Sequence, residues 1–298
     1  MTRRAWFLFG GLAVIWGLPY LLIKVAVQEL SPASVVFLRT TVGAALLVPV
    51  ALARGRPRAL LARWRPLVLF TVLELAVPWL LLSDAERRLS SSLAGLLVAS
   101  VPWVGALLAR LAGGHEPMGG RGLAGLALGL GGLVALLGID LTGGDLFSVG
   151  EMVLVVVGYA VGPMVIARRL SDLPTLDVVA GSLALAALAY APVGIAQLPS
   201  HLPSPAAMGA VLGLGVFCTA IAFLLFFRLI AEVGPVRATV VAYLNPAVAV
   251  AAGVALLAEP FTLGMAVGFP LILLGSYLAT HRPARAAPAA PGAVASGA

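Results

Sequence analysis

Long apolar runs alternate with short polar segments along the whole chain. A helix that crosses about 30 Å of hydrocarbon needs about 20 apolar residues, and ten stretches of the 298-residue sequence meet that requirement. The predicted spans are 5–27, 34–53, 66–83, 92–111, 122–139, 148–167, 176–196, 208–230, 237–257 and 262–280. The pattern therefore predicts an all-α integral membrane protein with ten transmembrane helices.

The composition agrees with a bilayer environment. Hydrophobic residues make up 61% of the chain and charged residues only 10%, with a mean hydropathy of +1.08. A soluble domain cannot cover so much apolar surface with polar groups. The segment after residue 281, RPARAAPAAPGAVASGA, is rich in Pro and Ala, so residues 282–298 are predicted to form a disordered tail.

The distribution of cations predicts the orientation. If the N-terminus is inside the cell, all but four of the 19 Lys and Arg residues fall on the inner side, the exceptions being Lys24, Arg39, Arg87 and Arg88. Cytoplasmic loops of membrane proteins carry an excess of such residues. Both termini are therefore expected to be cytoplasmic in a cell (inner or plasma) membrane, and the net charge of +7 requires no nucleic-acid partner.

Prolines, glycines and Glu-Pro pairs recur at a nearly constant offset between the two halves. The proline pairs are 144 positions apart, and the glutamate and glycine pairs are 143 apart. They are Pro19 with Pro163, Pro102 with Pro246, Glu116 with Glu259, Gly125 with Gly268, and Gly132 with Gly275. Five spans per copy is an odd number, so the second copy must be inverted. The predicted repeats are residues 1–145 and 146–281.

The chain resembles the EamA-type transporters of the drug/metabolite transporter superfamily. The resemblance lies in WGLPYLLIKVA, in SSSLAGLLVASVPWVGALLARLAGGHEPMGGRG and in VGPVRATVVAYLNPAVAVAAGVALLAEPF. It implies ten helices, cytoplasmic termini and a central cavity lined chiefly by helices 1, 3, 4, 6, 8 and 9. It also implies export of amino acids and other small metabolites. Arg39 in FLRT stands at a position where the family also carries an arginine.

The first span carries polar and aromatic residues on one face. Trp16, Tyr20 and Lys24 are spaced by four residues and so share a side of the helix. Pro19 frees the carbonyl of Ile15, and in hydrocarbon a freed carbonyl must face protein or a wet cavity. This face is predicted to line the cavity, the alternative being a packing kink. Lys24 is predicted to extend to the membrane interface.

Aromatic and polar residues near mid-span are candidate solute contacts. Aromatic side chains can form an apolar wall, although bulky packing is an equally good explanation for each. The aromatic candidates are Trp16, Tyr20, Trp79, Trp103, Tyr159 and Tyr243. The polar candidates are Ser100, Thr219 and Asn245. The amide of Asn245 can donate and accept hydrogen bonds to a zwitterionic solute, or bond across helices as a structural group.

Glu74 is an acid within a span, where an ionised carboxylate is costly. It either pairs with Arg39 or takes part in proton coupling or gating. The mid-span prolines Pro19, Pro102, Pro163 and Pro246 are candidate gating positions. Glu116 and Glu259 each precede a proline that can open a helix, and they are predicted to cap the next helix in the chain.

These features predict a secondary transporter that exports small metabolites by alternating access around a central cavity. The expected partners are the lipid bilayer, a small solute, and protons or a counter-substrate. No cofactor and no metal are expected, and the single cysteine, Cys218, excludes an intrachain disulfide. The alternatives are an intramembrane enzyme and a membrane protein that does not transport.

Overall fold

The fold consists of helices joined by short turns. A computed structural model describes residues 2–54, 57–111, 120–140, 146–234 and 238–280, and no strand occurs in these ranges. The main segments are α1 (Arg3–Ala26), α2 (Pro32–Arg54), α3 (Trp64–Ala85), α4 (Ser91–Leu108), α5 (Gly120–Asp140), α6 (Leu146–Leu170), α7 (Thr175–Ala196), α8 (Pro205–Val233), α9 (Val240–Leu257) and α10 (Leu263–Thr280).

The predicted span boundaries agree with these segments to within about three residues. Eight segments are long and apolar enough to cross a membrane, and α5 and α10 supply shorter apolar stretches, Gly120–Leu136 and Leu263–Ala279. Glu116 and the tail after residue 280 lie outside the described residues. The protein is thus an all-helical membrane protein in its described part.

Several helices are interrupted at the predicted prolines. Helix α1 breaks at Leu18 before Pro19, and α4 breaks between Val98 and Val101, before Pro102. Pro246 follows a 3₁₀ turn at the start of α9, whereas Pro163 lies inside α6. A proline cannot donate its backbone bond and its ring crowds the preceding turn, so breaks at these places follow from the sequence.

Wide π-helical turns occur in α3 at Thr71–Ala76, in α6 at Ile166–Leu170 and in α8 at Val216–Ile221. In α3 the wide turn precedes Pro78, whose ring would clash with the carbonyl of Glu74 in a regular helix. In α8 the Thr219 hydroxyl donates to the Leu214 carbonyl oxygen at 2.8 Å. The turns in α3 and α8 place Glu74 and Thr219 in irregular backbone, where functional sites are frequent.

Glycines bring α5 and α10 into close antiparallel contact. A Cβ placed on Gly125 would lie 2.8 Å from the Gly275 carbonyl oxygen, and one on Gly132 would lie 2.8 Å from that of Gly268. Small residues let helix backbones approach in a membrane, where packing replaces the hydrophobic effect as the source of association. These glycines therefore hold the pair together.

The α2/α7 and α4/α9 pairs are also antiparallel. Ser34 donates to the Gly194 carbonyl oxygen at 2.8 Å, while Gly43 lies farther along α2 near Leu183. In α4/α9, a Cβ on Gly95 would lie 2.6 Å from the Ala249 Cβ atom. Each of these helices thus packs against the segment five places away in the chain.

Polar groups at the helix ends join neighbouring helices. Lys24 Nζ donates to the carbonyl oxygens of Glu86 and Leu89 at 2.7 and 2.8 Å. Lys24 thus bonds to free carbonyls at the end of α3, and its extension to the membrane interface stays a prediction.

Glu259 caps a different helix from the one predicted. Its carboxylate accepts from the backbone N–H groups of Ser91 and Ser92 at 2.7 and 2.9 Å, and from the Ser92 hydroxyl at 2.5 Å. It therefore caps α4, while Thr262 caps α10 by accepting from Met265 N–H at 3.1 Å. The positive end of α4 attracts the carboxylate across the bundle.

We expect Gly132→Ala to destabilise the protein, because its Cβ would lie 2.7 Å from the Ile272 backbone nitrogen. Overpacking of this kind costs about 1–3 kcal/mol. Gly131→Ala is the matched control, since a Cβ there meets nothing within 4 Å. Thermal unfolding of the purified proteins in detergent should show a lower midpoint for Gly132→Ala alone. Equal midpoints would contradict the role assigned to the glycine contact.

We expect Glu259→Gln to lower stability at neutral pH by about 1 kcal/mol, because α4 loses a charged cap. Burial raises the pKa of Glu259, but hydrogen bonds from Ser92 and Ser91 outweigh this effect and hold the pKa below its usual value. A lowered pKa stabilises the folded protein above the unfolded-state value of about 4.3, and the contribution is lost as pH falls through the folded-state value. The difference in unfolding midpoint between the two proteins should therefore shrink in acid. A constant difference would disprove the charged cap.

Candidate functional site

The buried guanidinium of Arg39 joins three helices. Its Nε atom donates to the Thr219 hydroxyl oxygen of α8 at 3.1 Å, and its Cζ atom lies 3.6 Å from the centre of the Trp79 ring of α3. Arg39 is only 6% exposed. The structure thus brings together Arg39, Trp79 and Thr219, which sequence analysis proposed as separate candidates.

The terminal nitrogens of Arg39 are not used in this arrangement. Nε makes the single hydrogen bond of this side chain to any described residue, so Nη1 and Nη2 retain four N–H donors. The Trp79 ring stabilises the cation by a cation–π contact, which gains strength away from water. The site is therefore a preformed planar donor group on an aromatic support.

Two tyrosines complete this group of residues, which we call the central cluster: Tyr20, Arg39, Trp79, Tyr159 and Thr219. The Tyr159 hydroxyl lies near the Trp79 indole. Tyr20 is buried against Gly95, and both tyrosines lie close enough to Arg39 to interact with its charge. The cluster draws on α1, α2, α3, α6 and α8, which belong to both predicted repeats.

Glu74 does not pair with Arg39. No ion pair joins the two within the described ranges, and Glu74 Oε2 is buried without a hydrogen-bond partner there. Instead the carboxylate lies against Gly162 of α6, which has no side chain to obstruct it. The structural-pair hypothesis is therefore wrong, and the wide turn in α3 gives the physical reason, because it changes the direction in which Glu74 projects.

Ser100 and Trp103 lie apart from the central cluster, beside a cavity of about 160 Å³ between α4, α5 and α6. The Ser100 hydroxyl donates to the Leu97 carbonyl oxygen at 2.6 Å. The Trp103 indole N–H donates to the Leu126 carbonyl oxygen at 2.8 Å. Because their donors already have protein acceptors, these residues shape the apolar wall of the cavity.

Trp16 belongs to an aromatic group with α8. Its ring centre lies 6.0 Å from that of Phe223 in an edge-on arrangement and 4.9 Å from that of Phe226. Such contacts agree with the packing alternative for this residue.

The remaining polar candidates lie where α9 begins. Tyr243 is half-buried in the 3₁₀ turn that precedes Asn245. The Asn245 Oδ1 atom is buried and accepts no hydrogen bond from a described residue. Of the polar candidates, Asn245 thus keeps an acceptor for a bound group, and Thr219 instead supports Arg39.

Sequence analysis did not identify Glu86 as a candidate. Its side chain is 0% exposed, and neither carboxylate oxygen has a hydrogen-bond partner in the described part of the chain. The signal was present: Leu75, Trp79, Leu82 and Glu86 follow the spacing of one helical face, and the first three are buried. Glu86 therefore continues the buried side of α3.

Comparisons with known proteins agree with this architecture. The sequence profile of the EamA-like transporter family matches residues 4–138 and again residues 147–280. The "Uncharacterized inner membrane transporter YedA" of Escherichia coli K12 is 31% identical over 296 residues, with 93% of this chain and 94% of the relative covered. An "Uncharacterized transporter" of Archaeoglobus fulgidus is 22% identical over 285 residues, with 94% and 99% covered.

A solved crystal structure shares the fold. It is 23% identical in sequence and superposes with a TM-score of 0.65, with 94% of this chain and 98% of the other covered. The names of the two relatives indicate a transporter rather than an enzyme, and the Escherichia coli relative is an inner membrane protein. With the profile matching almost the whole chain in two segments, this multi-pass inner-membrane protein belongs to the EamA-like transporter family of the drug/metabolite transporter superfamily.

Proposed function

We propose that the protein is a secondary transporter that exports amino acids or related carboxylate-bearing metabolites. Transport occurs by alternating access between two inverted five-helix repeats, residues 1–145 and 146–281, with both termini in the cytoplasm. The solute binds at the central cluster. The outward direction rests on the family resemblance.

The helix pairing supports the inverted repeats. Residues 125 and 268 occupy equivalent positions in the two predicted repeats, and so do residues 132 and 275. Exchanging the two halves therefore converts the Gly125–Gly275 contact into a Gly268–Gly132 contact. Both contacts are present. A two-fold axis in the membrane plane produces this antiparallel arrangement.

The π-helical turns of α3 and α8 also occupy corresponding positions in the two halves of the chain. Thr71–Ala76 and Val216–Ile221 are each six residues long and start 145 positions apart. Glu74 and Thr219 are both the fourth residue of their turn. Transporters of inverted-repeat design place interrupted helices around the solute site, and Pro102 and Pro246 supply equivalent interruptions in α4 and α9.

The proposed solute class rests on the Nη1 and Nη2 donors of Arg39, which bond to no described residue. A guanidinium binds a carboxylate through two parallel charge-assisted hydrogen bonds. Trp79 provides an aromatic surface against the guanidinium, and Tyr159 lies close enough to interact with its charge. A carboxylate-bearing solute fits this chemistry.

An intramembrane enzyme and a membrane protein that does not transport are the competing functions. A carrier moves a solute across a sealed bilayer and releases it unchanged, whereas an enzyme alters it. Chemical analysis of the solute after flux separates these possibilities.

We expect purified protein in liposomes to catalyse saturable counterflow of at least one labelled solute from a panel of amino acids and other carboxylates. Arg39→Gln should lower the flux at least about 10-fold, because a hydrogen bond to a charged group contributes about 1.5–3 kcal/mol. Arg39→Lys keeps the charge without the planar donor pair and should be intermediate.

Arg87→Gln is the matched control for this experiment, because Arg87 is an exposed cation whose side chain bonds, among the described residues, only to Asp84 at 3.4 Å. Its flux should equal that of the unmodified protein. Full counterflow by Arg39→Gln at a normal expression level would rule out Arg39 as the carboxylate site. Absence of flux for every solute would count against the transport function itself.

We expect a reporter fused after Ala298, and one inserted near Arg58, to show cytoplasmic activity, whereas one inserted between Asp140 and Gly144 should lie outside. The positive charges on the predicted inner side are the reason. Alkaline phosphatase and green fluorescent protein fusions make the measurement, because each is active on only one side. An external signal from the C-terminal fusion would disprove the inverted ten-helix arrangement.

A further inference from the structure

Glu86 is a fully buried acid at the end of α3. Its side chain is 0% exposed, and neither Oε1 nor Oε2 forms a hydrogen bond with a described residue. It occupies the C-cap position of the helix, where the negative end of the helix dipole disfavours a carboxylate. Location and burial therefore both oppose the charged form.

The neighbouring charges have other partners. Lys24 Nζ bonds to the backbone oxygens of Glu86 and Leu89 and forms no ion pair with the Glu86 carboxylate. Glu259, which would repel a charge on Glu86, is held by Ser91 and Ser92. A charged Glu86 would thus lack a direct counterion, which is costly in the interior of a protein.

Ionisable groups face Glu86 from the helices packed around it. They are Tyr20 and Lys24 of α1, Arg39 of α2, Tyr159 of α6 and Glu259 before α10. Burial raises the pKa of Glu86 well above its usual value, although the charge of Lys24 lowers it. The environment as a whole favours the neutral acid.

The ligand that this site can take is small. A fully buried side chain leaves no room beside it for a solute or a hydrated metal ion, whereas a proton needs no space. A protonated carboxyl is also neutral, which removes the cost of the buried charge.

We propose that Glu86 is the proton-binding site of the transporter, and that it carries its proton while Arg39 binds the solute carboxylate. This inference rests on the proposed function. The step is Glu–COO⁻ plus H⁺ giving Glu–COOH, with no other bond formed or broken. When the proton leaves, the negative charge of the Glu86 carboxylate acts on the nearby cations, first Lys24 and also Arg39, and so weakens the attraction of Arg39 for the solute carboxylate.

The interaction of Glu86 with Arg39 determines whether the proton moves in the same direction as the solute or in the opposite one. Proton and solute are bound together, so one proton accompanies each solute carboxylate. Net export is then driven by the outward gradient of the solute, and an inward proton gradient opposes it.

Infrared spectroscopy of the purified full-length protein tests the site without knowledge of the solute. The unmodified protein at neutral pH should show carbonyl bands of protonated carboxylic acids, and Glu86→Gln should remove one band that Glu74→Gln leaves in place. Glu86→Leu is a second variant that removes the same group. Glu29→Gln is the matched control, because the exposed Glu29 accepts from Ser204 N–H at 2.7 Å and should leave the band intact.

Stability against pH provides an independent readout. A raised folded-state pKa means that the folded protein retains a proton which the unfolded chain releases near pH 4.3, so stability falls as pH rises toward the folded-state value. The unfolding midpoint of the unmodified protein should therefore decrease with pH relative to that of Glu86→Gln. Parallel pH profiles, or a carbonyl band lost in Glu74→Gln and kept in Glu86→Gln, would overturn the assignment.

Flux measurements separate the two proposals. With a solute that shows counterflow, Glu86→Gln should retain exchange and lose its dependence on pH. Flux of Glu86→Gln with unchanged pH dependence would overturn the coupling role. If the unmodified protein moves no solute, the proposed function fails, while the infrared band still decides whether Glu86 holds a proton.

Discussion

The need to bury one guanidinium in an apolar bundle organises the centre of the molecule. Arg39 is stabilised by the Trp79 ring below it and the Thr219 hydroxyl beside it, because a cation in a membrane interior requires such partners. These partners come from α3 and α8, which lie in different halves of the chain. Any relative movement of the halves must therefore change the surroundings of Arg39, which links the site to the conformation.

The scaffold around this centre has two kinds of helix contact. Glycines bring α5 against α10, and a hydrogen bond from the Ser34 hydroxyl to the backbone of Gly194 joins α2 to α7. Interrupted helices, in contrast, surround the central cluster. Continuous pairs can move as rigid bodies, while interruptions accept the changes in backbone angle. The arrangement thus holds Arg39 on a continuous helix of the scaffold, while its partners Trp79 and Thr219 lie on helices with interruptions.

The sequence predicted the helices well because each apolar run is long and bounded by polar or Pro/Gly-rich segments. It also nominated all five members of the central cluster. Side-chain directions were less predictable: the wide turn at Thr71–Ala76 adds a residue to its turn, which rotates the rest of the helix by about 100° relative to a regular helix. The expected Glu74–Arg39 pair therefore does not form. Glu86 was missed because loop acids are normally solvated, and only tertiary packing buries this one.

The central claim, that solute binds against Arg39 and Trp79, is most directly tested by tryptophan fluorescence. Trp79 would be kept as the single tryptophan, with Trp6, Trp16, Trp64 and Trp103 replaced by Phe in a protein that retains counterflow. A transported solute should change the Trp79 emission saturably, with the same half-saturation as its flux. Unchanged emission at solute concentrations that saturate transport would contradict the claim.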